Sequence, residues 1–312
     1  MEDVKRRGIV AYALSFLFNQ PYLLLSLTAL FWSGNAIVGR AAIEQGMPPI
    51  GLSFWRWFLA FLIVLPFAWR HLRIEWRSML DTWPVMLGLG TLGGASFNLC
   101  MYIGLQTTQA INAGLLQAFI PVTILMLAIP ILGERTSVRQ VSGMVVAFAG
   151  VLAIIFQGDI ARLLDLSFTR GDVWIVAGVV LNAFYSIVLK WKPKVHPLSL
   201  LAGIFGVSSM ALLPLYLVET MNGRPVPLTE VSLGAILYVA LFPAVAAYFC
   251  YNRGIELLGP ARAGVAIYLV PMMVSLLAVG LLGEPFHLYH AIGMALILGG
   301  LAFAEARRGG GK

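Results

Sequence analysis

The chain has 312 residues, 60% of them apolar and 11% charged, with a mean hydropathy of +0.87. Soluble domains carry roughly 25% charged residues, so this composition excludes a soluble enzyme or binding module and points to a lipid bilayer. The net charge of +7 does not imply nucleic acid, which needs a basic patch on a soluble surface; here the charges lie between apolar runs.

Taken in chain order, Lys5-Arg6-Arg7 precede an apolar stretch without a small-residue cleavage site, which argues against a signal peptide. Residues 1–21 are read as a cytoplasmic segment with a short interfacial helix over 8–19. Apolar runs of about 20 residues, enough to span a bilayer, follow at 22–43, 50–69, 83–104, 111–132 and 139–157. A connector over 158–171 holds Asp159, Arg162, Asp165 and Arg170, with Ile160, Leu163 and Leu164 at helical spacing, and reads as a surface helix on the outer face. Five more runs occupy 172–190, 198–218, 231–251, 262–282 and 288–305, before a cytoplasmic tail at 306–312.

Two segments, 98–152 and 248–302, are copies at an offset of 150 positions. Cys100 matches Cys250, Gly104 matches Gly254, Pro121 matches Pro271, Gly133-Glu134 match Gly283-Glu284, and Gly143 and Gly150 match Gly293 and Gly300. The expected fold is all-α, with ten transmembrane helices as two five-helix repeats over 22–157 and 172–305. An odd number of spans per copy makes the repeats inverted, and a substrate site between the halves is then expected. Of the 21 Lys and Arg, 16 fall on one side when both termini are cytoplasmic, the orientation that basic residues favour. The two matched cysteines give neither a disulfide framework nor metal-ligand spacing and read as small packing residues.

The matched positions locate the candidate site. Trp32 and Asn35 lie three apart in span 1, and their mates in span 6 are Asn182 and Tyr185; Asn98 and Tyr102 lie four apart in span 3, and their mates in span 8 are Tyr248 and Asn252. Each helix thus presents one amide and one aromatic on a single face, with the order swapped between copies. Amides in membranes also serve as glue between helices, but a matched set favours a shared substrate cavity. Trp32, Asn35, Asn182 and Tyr185 fall near mid-membrane, whereas Asn98, Tyr102, Tyr248 and Asn252 lie nearer the helix ends.

Pro121 and Pro271 sit near the middle of spans 4 and 9, where each removes a backbone hydrogen bond and bends its helix; both are candidate gating positions. Arg56 sits shallowly in span 2, where it either snorkels to the outer headgroups or caps the cavity mouth and meets a substrate carboxylate. No acidic residue or histidine lies mid-span, so a proton relay is not expected and facilitated transport is. Without basic groups at mid-membrane for sugar phosphates or a carboxylate for organic cations, a neutral or zwitterionic amphipathic solute fits best. No Walker motif, nucleophile elbow or metal cluster occurs, so neither enzyme nor cofactor is expected.

Phe31-Trp32-Ser33-Gly34-Asn35, Phe54-Trp55-Arg56-Trp57-Phe58 and the duplicated Pro…Gly-Glu of spans 4 and 9 resemble the EamA family of the drug/metabolite transporter superfamily. The resemblance covers residues 22–305. It implies an exporter in a bacterial inner membrane, monomeric or weakly homo-oligomeric. Its partners are the bilayer and a small-molecule substrate, most like that of the YddG-type aromatic amino acid exporters. A carrier of other metabolites, drugs or nucleotide sugars is the alternative within transport. A membrane-embedded lipid enzyme or a scaffold is the alternative from other classes.

Overall fold

A computed structural model describes residues 18–108, 110–159, 161, 169–282 and 285–305. Most of the interfacial helix expected over 8–19, most of the 158–171 connector, the 306–312 tail and the Gly283-Glu284 pair lie outside the described residues. Among the described residues the chain is helical without strands. That is the outcome the bilayer imposes on an apolar chain, since each backbone N–H and C=O must be satisfied within its own segment.

Among the described residues, nine helices are long and apolar enough to cross a membrane: α1 Pro21–Glu44, α2 Pro49–Asp81, α3 Trp83–Gly104, α4 Asn112–Leu132, α5 Val138–Ile155, α6 Arg170–Trp191, α7 Pro197–Met221, α8 Glu230–Leu258 and α9 Pro260–Gly280. A shorter apolar helix, α10 Leu288–Ala304, occupies the tenth expected run. Several begin with proline in the first turn, where its missing N–H costs nothing. Thr169 and Asp172 form a capping box at the start of α6.

Three features depart from the sequence expectation. Helix α2 does not stop near residue 69 but runs 33 residues to Asp81, about 50 Å against a hydrocarbon core of about 30 Å. Its extension pairs Arg73 with the Trp69 ring at 5.6 Å and Arg77 with the Trp76 ring at 5.5 Å, a combination suited to the headgroup region, where helix can continue. Helices α3 and α8 contain π-helical segments at matched positions, Leu89–Ser96 and Ala240–Ala246. Finally, Pro121 and Pro271 do not bend continuous helices in mid-course. Each stands in the first turn after an interruption, a turn at Ala118 and Phe119 in α4 and a 3-10 segment Ala266–Tyr268 in α9. A proline has no N–H for the carbonyl four residues before it and its ring crowds that carbonyl, so the break falls in the turn ahead of the ring.

Contacts between the two copies are of two kinds. Mates pair antiparallel: α5 lies along α10 and α2 along α7, the two most extensive interfaces among the described residues. Elsewhere α1 packs on α8 and α9, and α6 packs on α3 and α4, so each contact recurs with the copies exchanged. Along α5 and α10 the matched glycines meet backbone to backbone. A Cβ on Gly150 would lie 2.6 Å from the Gly293 carbonyl, and one on Gly300 would lie 2.5 Å from the Gly143 carbonyl. Lipid supplies no hydrophobic drive between helices, so this close approach is what holds the pair. At one end of the α2–α7 pair the Glu219 carboxylate accepts from the Gly51 N–H at 2.7 Å; at the other, Glu75 accepts from the His196 N–H at 2.9 and 3.1 Å. Each helix thereby receives its N-terminal cap from the other, satisfying donors a helix start leaves unpaired.

Candidate functional site

Arg56 is the eighth residue of α2, about 10 Å along it at 1.5 Å per residue, a depth from which a long side chain could reach headgroups. It does not: Arg56 is 1% exposed, enclosed within the bundle, so the snorkelling alternative does not hold. The reason is the neighbours, because α1, α3 and α8 close over this face of α2. The guanidinium donates from Nη1 to Asn35 Oδ1 at 2.8 Å, Asn98 Oδ1 at 2.8 Å and the Tyr102 hydroxyl at 3.3 Å. From Nη2 it donates to the Pro243 carbonyl at 3.1 Å, and it lies 4.9 Å from the Trp57 ring. All four acceptors are neutral. Nε has no partner, and among the described residues no carboxylate stands within ion-pair distance of Arg56.

The matched residues converge as pairs. Tyr102 donates its hydroxyl to Asn35 at 3.0 Å, and 150 positions on, Tyr185 donates to Asn252. Donor and acceptor have exchanged helices, and the bond is kept. The carbonyls freed by the two π-helical segments are matched as well: Gly93 accepts from the Tyr248 hydroxyl at 2.6 Å, and Pro243 accepts from Trp32 Nε1 at 3.3 Å as well as from Arg56. A π-helical turn leaves such carbonyls available, and these turns cluster at functional sites. Gly93 also has to be glycine, since a Cβ there would sit 2.2 Å from the Tyr185 ring.

Aromatic rings join the pairs into one cluster. Trp32 lies 4.9 Å from Tyr251 and 6.2 Å from Tyr248, and Tyr248 lies 5.1 Å from Trp57 and 5.7 Å from Tyr185, all between ring centroids. Tyr248 and Asn98, placed by the sequence nearer helix ends than the other candidates, turn out to be central and buried. Asn182 is also buried but stands apart: its carbonyl accepts from Ser186, while its side-chain oxygen has no partner. Trp57, Tyr251 and the two π-segment carbonyls belong to the cluster and were not expected from sequence. The match of Gly93 to Pro243 at the same offset of 150 was the available signal. Beside Trp32, a crevice lined by Leu25, Thr28, Ala29, Tyr251, Ala263, Ala266 and Ile267 is too narrow to admit water, so the cluster is packed shut here.

Charge concentrates at the end of the bundle where α1 begins. Lys192 and Arg253 pair with Glu256 at 3.5 and 3.1 Å, and Lys190 lies 4.0 Å from Glu134 across the two copies. At the opposite end Arg40 pairs with Glu44 within α1 at 2.8 Å, both exposed.

Comparison with known proteins agrees with this architecture. The model of the EamA-like transporter family matches twice, over residues 19–156 and 169–305. The chain is 29% identical to the uncharacterized transporter YyaM of Bacillus subtilis, over 82% of this chain and 84% of that one. It is 26% identical to a probable terminal-alkyne amino-acid exporter of Streptantibioticus cattleyicolor, over 91% and 92%. A solved crystal structure superposes with a TM-score of 0.75 at 20% identity, covering 91% of this chain and 96% of the other, a likeness of fold.

Proposed function

The chain belongs to the EamA-like transporter family, and on that premise we propose that it exports small amphipathic metabolites, neutral aromatic amino acids foremost, by alternating access between two inverted repeats. The observation that carries the reading is the cluster of Trp32, Asn35, Asn98, Tyr102, Tyr185, Tyr248 and Asn252 at the junction of α1, α3, α6 and α8. Rings there offer an apolar wall and the amides and π-segment carbonyls offer hydrogen bonds, the mixture a small-molecule site requires. Export, as against uptake, is supported by the relative named as a probable amino-acid exporter.

The inverted relation is supported by the antiparallel pairing of each of α2 and α5 with its own mate. A two-fold operation that places a helix antiparallel to its copy has its axis in the membrane plane, the arrangement of many secondary transporters. Both termini are assigned to the cytoplasm of a bacterial cell from the Lys and Arg distribution. The end carrying Lys190, Lys192 and Arg253 then faces inward. The packed crevice beside Trp32 represents a closed state, and the interruptions before Pro121 and Pro271 are the places where α4 and α9 flex to open it. With no carboxylate or imidazole in the cluster to carry a proton, the solute runs down its own gradient.

Counterflow in proteoliposomes tests this. Labelled L-phenylalanine should exchange without an imposed pH gradient, and Trp32→Ala should slow the exchange roughly tenfold by removing an aromatic wall worth about 0.5–1.5 kcal/mol beyond its burial. Exchange that strictly requires inward protons would refute the uniport step. Failure with every neutral amino acid would refute the substrate class.

A further inference from the structure

A buried guanidinium without a counter-charge is costly, by several kcal/mol even after relaxation, and ionisable groups kept inside a membrane bundle mark substrate paths. The first question is whether folding demands this one. The second copy answers it. There Tyr185 and Asn252 make the same bond that Tyr102 and Asn35 make in the first, with no cation beside it. The offset of 150 sets Gly206 opposite Arg56, and α7 has no Lys or Arg along its length. The joint therefore closes without a charge, and Arg56 is an addition to one copy alone.

The second question is what the guanidinium faces. Nη1 is spent on Asn35, Asn98 and Tyr102, and Nη2 has given one hydrogen to Pro243. Nε–H is buried and unpartnered and Nη2 has one hydrogen beyond the one given to Pro243, so the donors still open belong to Nε and Nη2. The edge they share is the fork that takes a carboxylate through two parallel hydrogen bonds. Three neutral acceptors hold the opposite edge in place, so the fork is oriented before anything binds.

We propose that Arg56 is the anion subsite of the carrier: its Nε–Nη2 edge takes the carboxylate of the substrate, and the rings of Trp32, Trp57 and Tyr248 surround the substrate's apolar part. This rests on the reading of the chain as an amino-acid carrier and narrows it. An α-carboxylate becomes obligatory, and aromatic amines and amides lacking one are excluded. The substrate carboxylate also supplies, locally, the counter-charge that the guanidinium lacks in the closed bundle.

The test compares L-phenylalanine with L-phenylalaninamide, which differ at the carboxylate alone, on the purified full-length protein. The amino acid should raise the thermal midpoint by several degrees at saturation and exchange in counterflow at least about tenfold faster than the amide. Arg56→Gln keeps two N–H donors for Asn35 and Asn98 and should lose the stabilisation and the preference. Arg56→Lys keeps the charge without the fork and should retain part of both. Equal exchange of amino acid and amide by the wild type overturns the anion subsite while the carrier reading stands. No stabilisation by phenylalanine or benzoate overturns it as well. Stabilisation that depends on Arg56, without any counterflow, leaves the subsite in place and overturns the carrier reading instead.

Discussion

His196 shows how one side chain can make the bundle sensitive to pH. It begins α7, and its Nδ1 accepts from the Leu198 N–H at 3.3 Å, so the cap needs that nitrogen unprotonated. The His71 ring of α2 stacks on it at 3.8 Å with planes 4° apart. Burial pushes the His196 imidazole below its ordinary value of 6.5 and the neighbouring His71 adds to this, while Glu75 opposes it. A folded-state value that is lowered means stability present above the unfolded value of 6.5 and lost as pH falls through the lower folded value. The thermal midpoint in detergent should therefore drop between pH 7.5 and 5.5. His196→Asn, which keeps a capping acceptor but cannot titrate, should flatten that dependence. Equal slopes for the two proteins would remove His196 as the cause.

The two antiparallel mate pairs, α2 with α7 and α5 with α10, are built differently. The first is tied by charge at both ends, through Glu219 on the Gly51 N–H and Glu75 on the His196 N–H, and by aromatic contact between. Phe54 stacks on Tyr216 at 4.6 Å, and Trp55 donates to the Tyr216 hydroxyl at 3.2 Å. The second relies on the absence of side chains. Gly150→Ala places a methyl 2.6 Å from the Gly293 carbonyl and 2.8 Å from the Ile297 nitrogen, and backbone cannot yield as a flexible side chain can. Overpacking of this kind costs about 1–3 kcal/mol, and separating α5 from α10 should lower the midpoint by several degrees. By contrast Gly280, where an added Cβ meets nothing, should accept alanine with little change; a matching loss there would show that any alanine in this region is harmful.

For the whole molecule, orientation is the property that function needs first, because export and uptake differ by it. On a background lacking Cys100 and Cys250, cysteines at Arg73, Arg135 and Lys192 should be shielded from an impermeant thiol reagent in intact cells, and a cysteine at Arg224 should react. Labelling at 192 from outside would reverse the assignment of the ion-paired end to the cytoplasm. Much of the architecture was open to reading from sequence alone: the ten apolar runs, nine of them helices long enough to span among the described residues, follow from run length, and the 150-residue offset that matches amides with aromatics follows from residue identity. These are local properties, because the bilayer forces each apolar run to close its own hydrogen bonds. What tertiary structure decided is depth and partnership. Arg56 looks shallow when counted along α2, yet α1, α3 and α8 enclose it, and no property of α2 records how its neighbours lean. The Gly93 and Pro243 carbonyls become acceptors because of π-helical turns, which depend on how α3 and α8 pack and which residue identity does not announce. A membrane helix is written in its own residues; which of its side chains meet across the bundle is written in the helices around it.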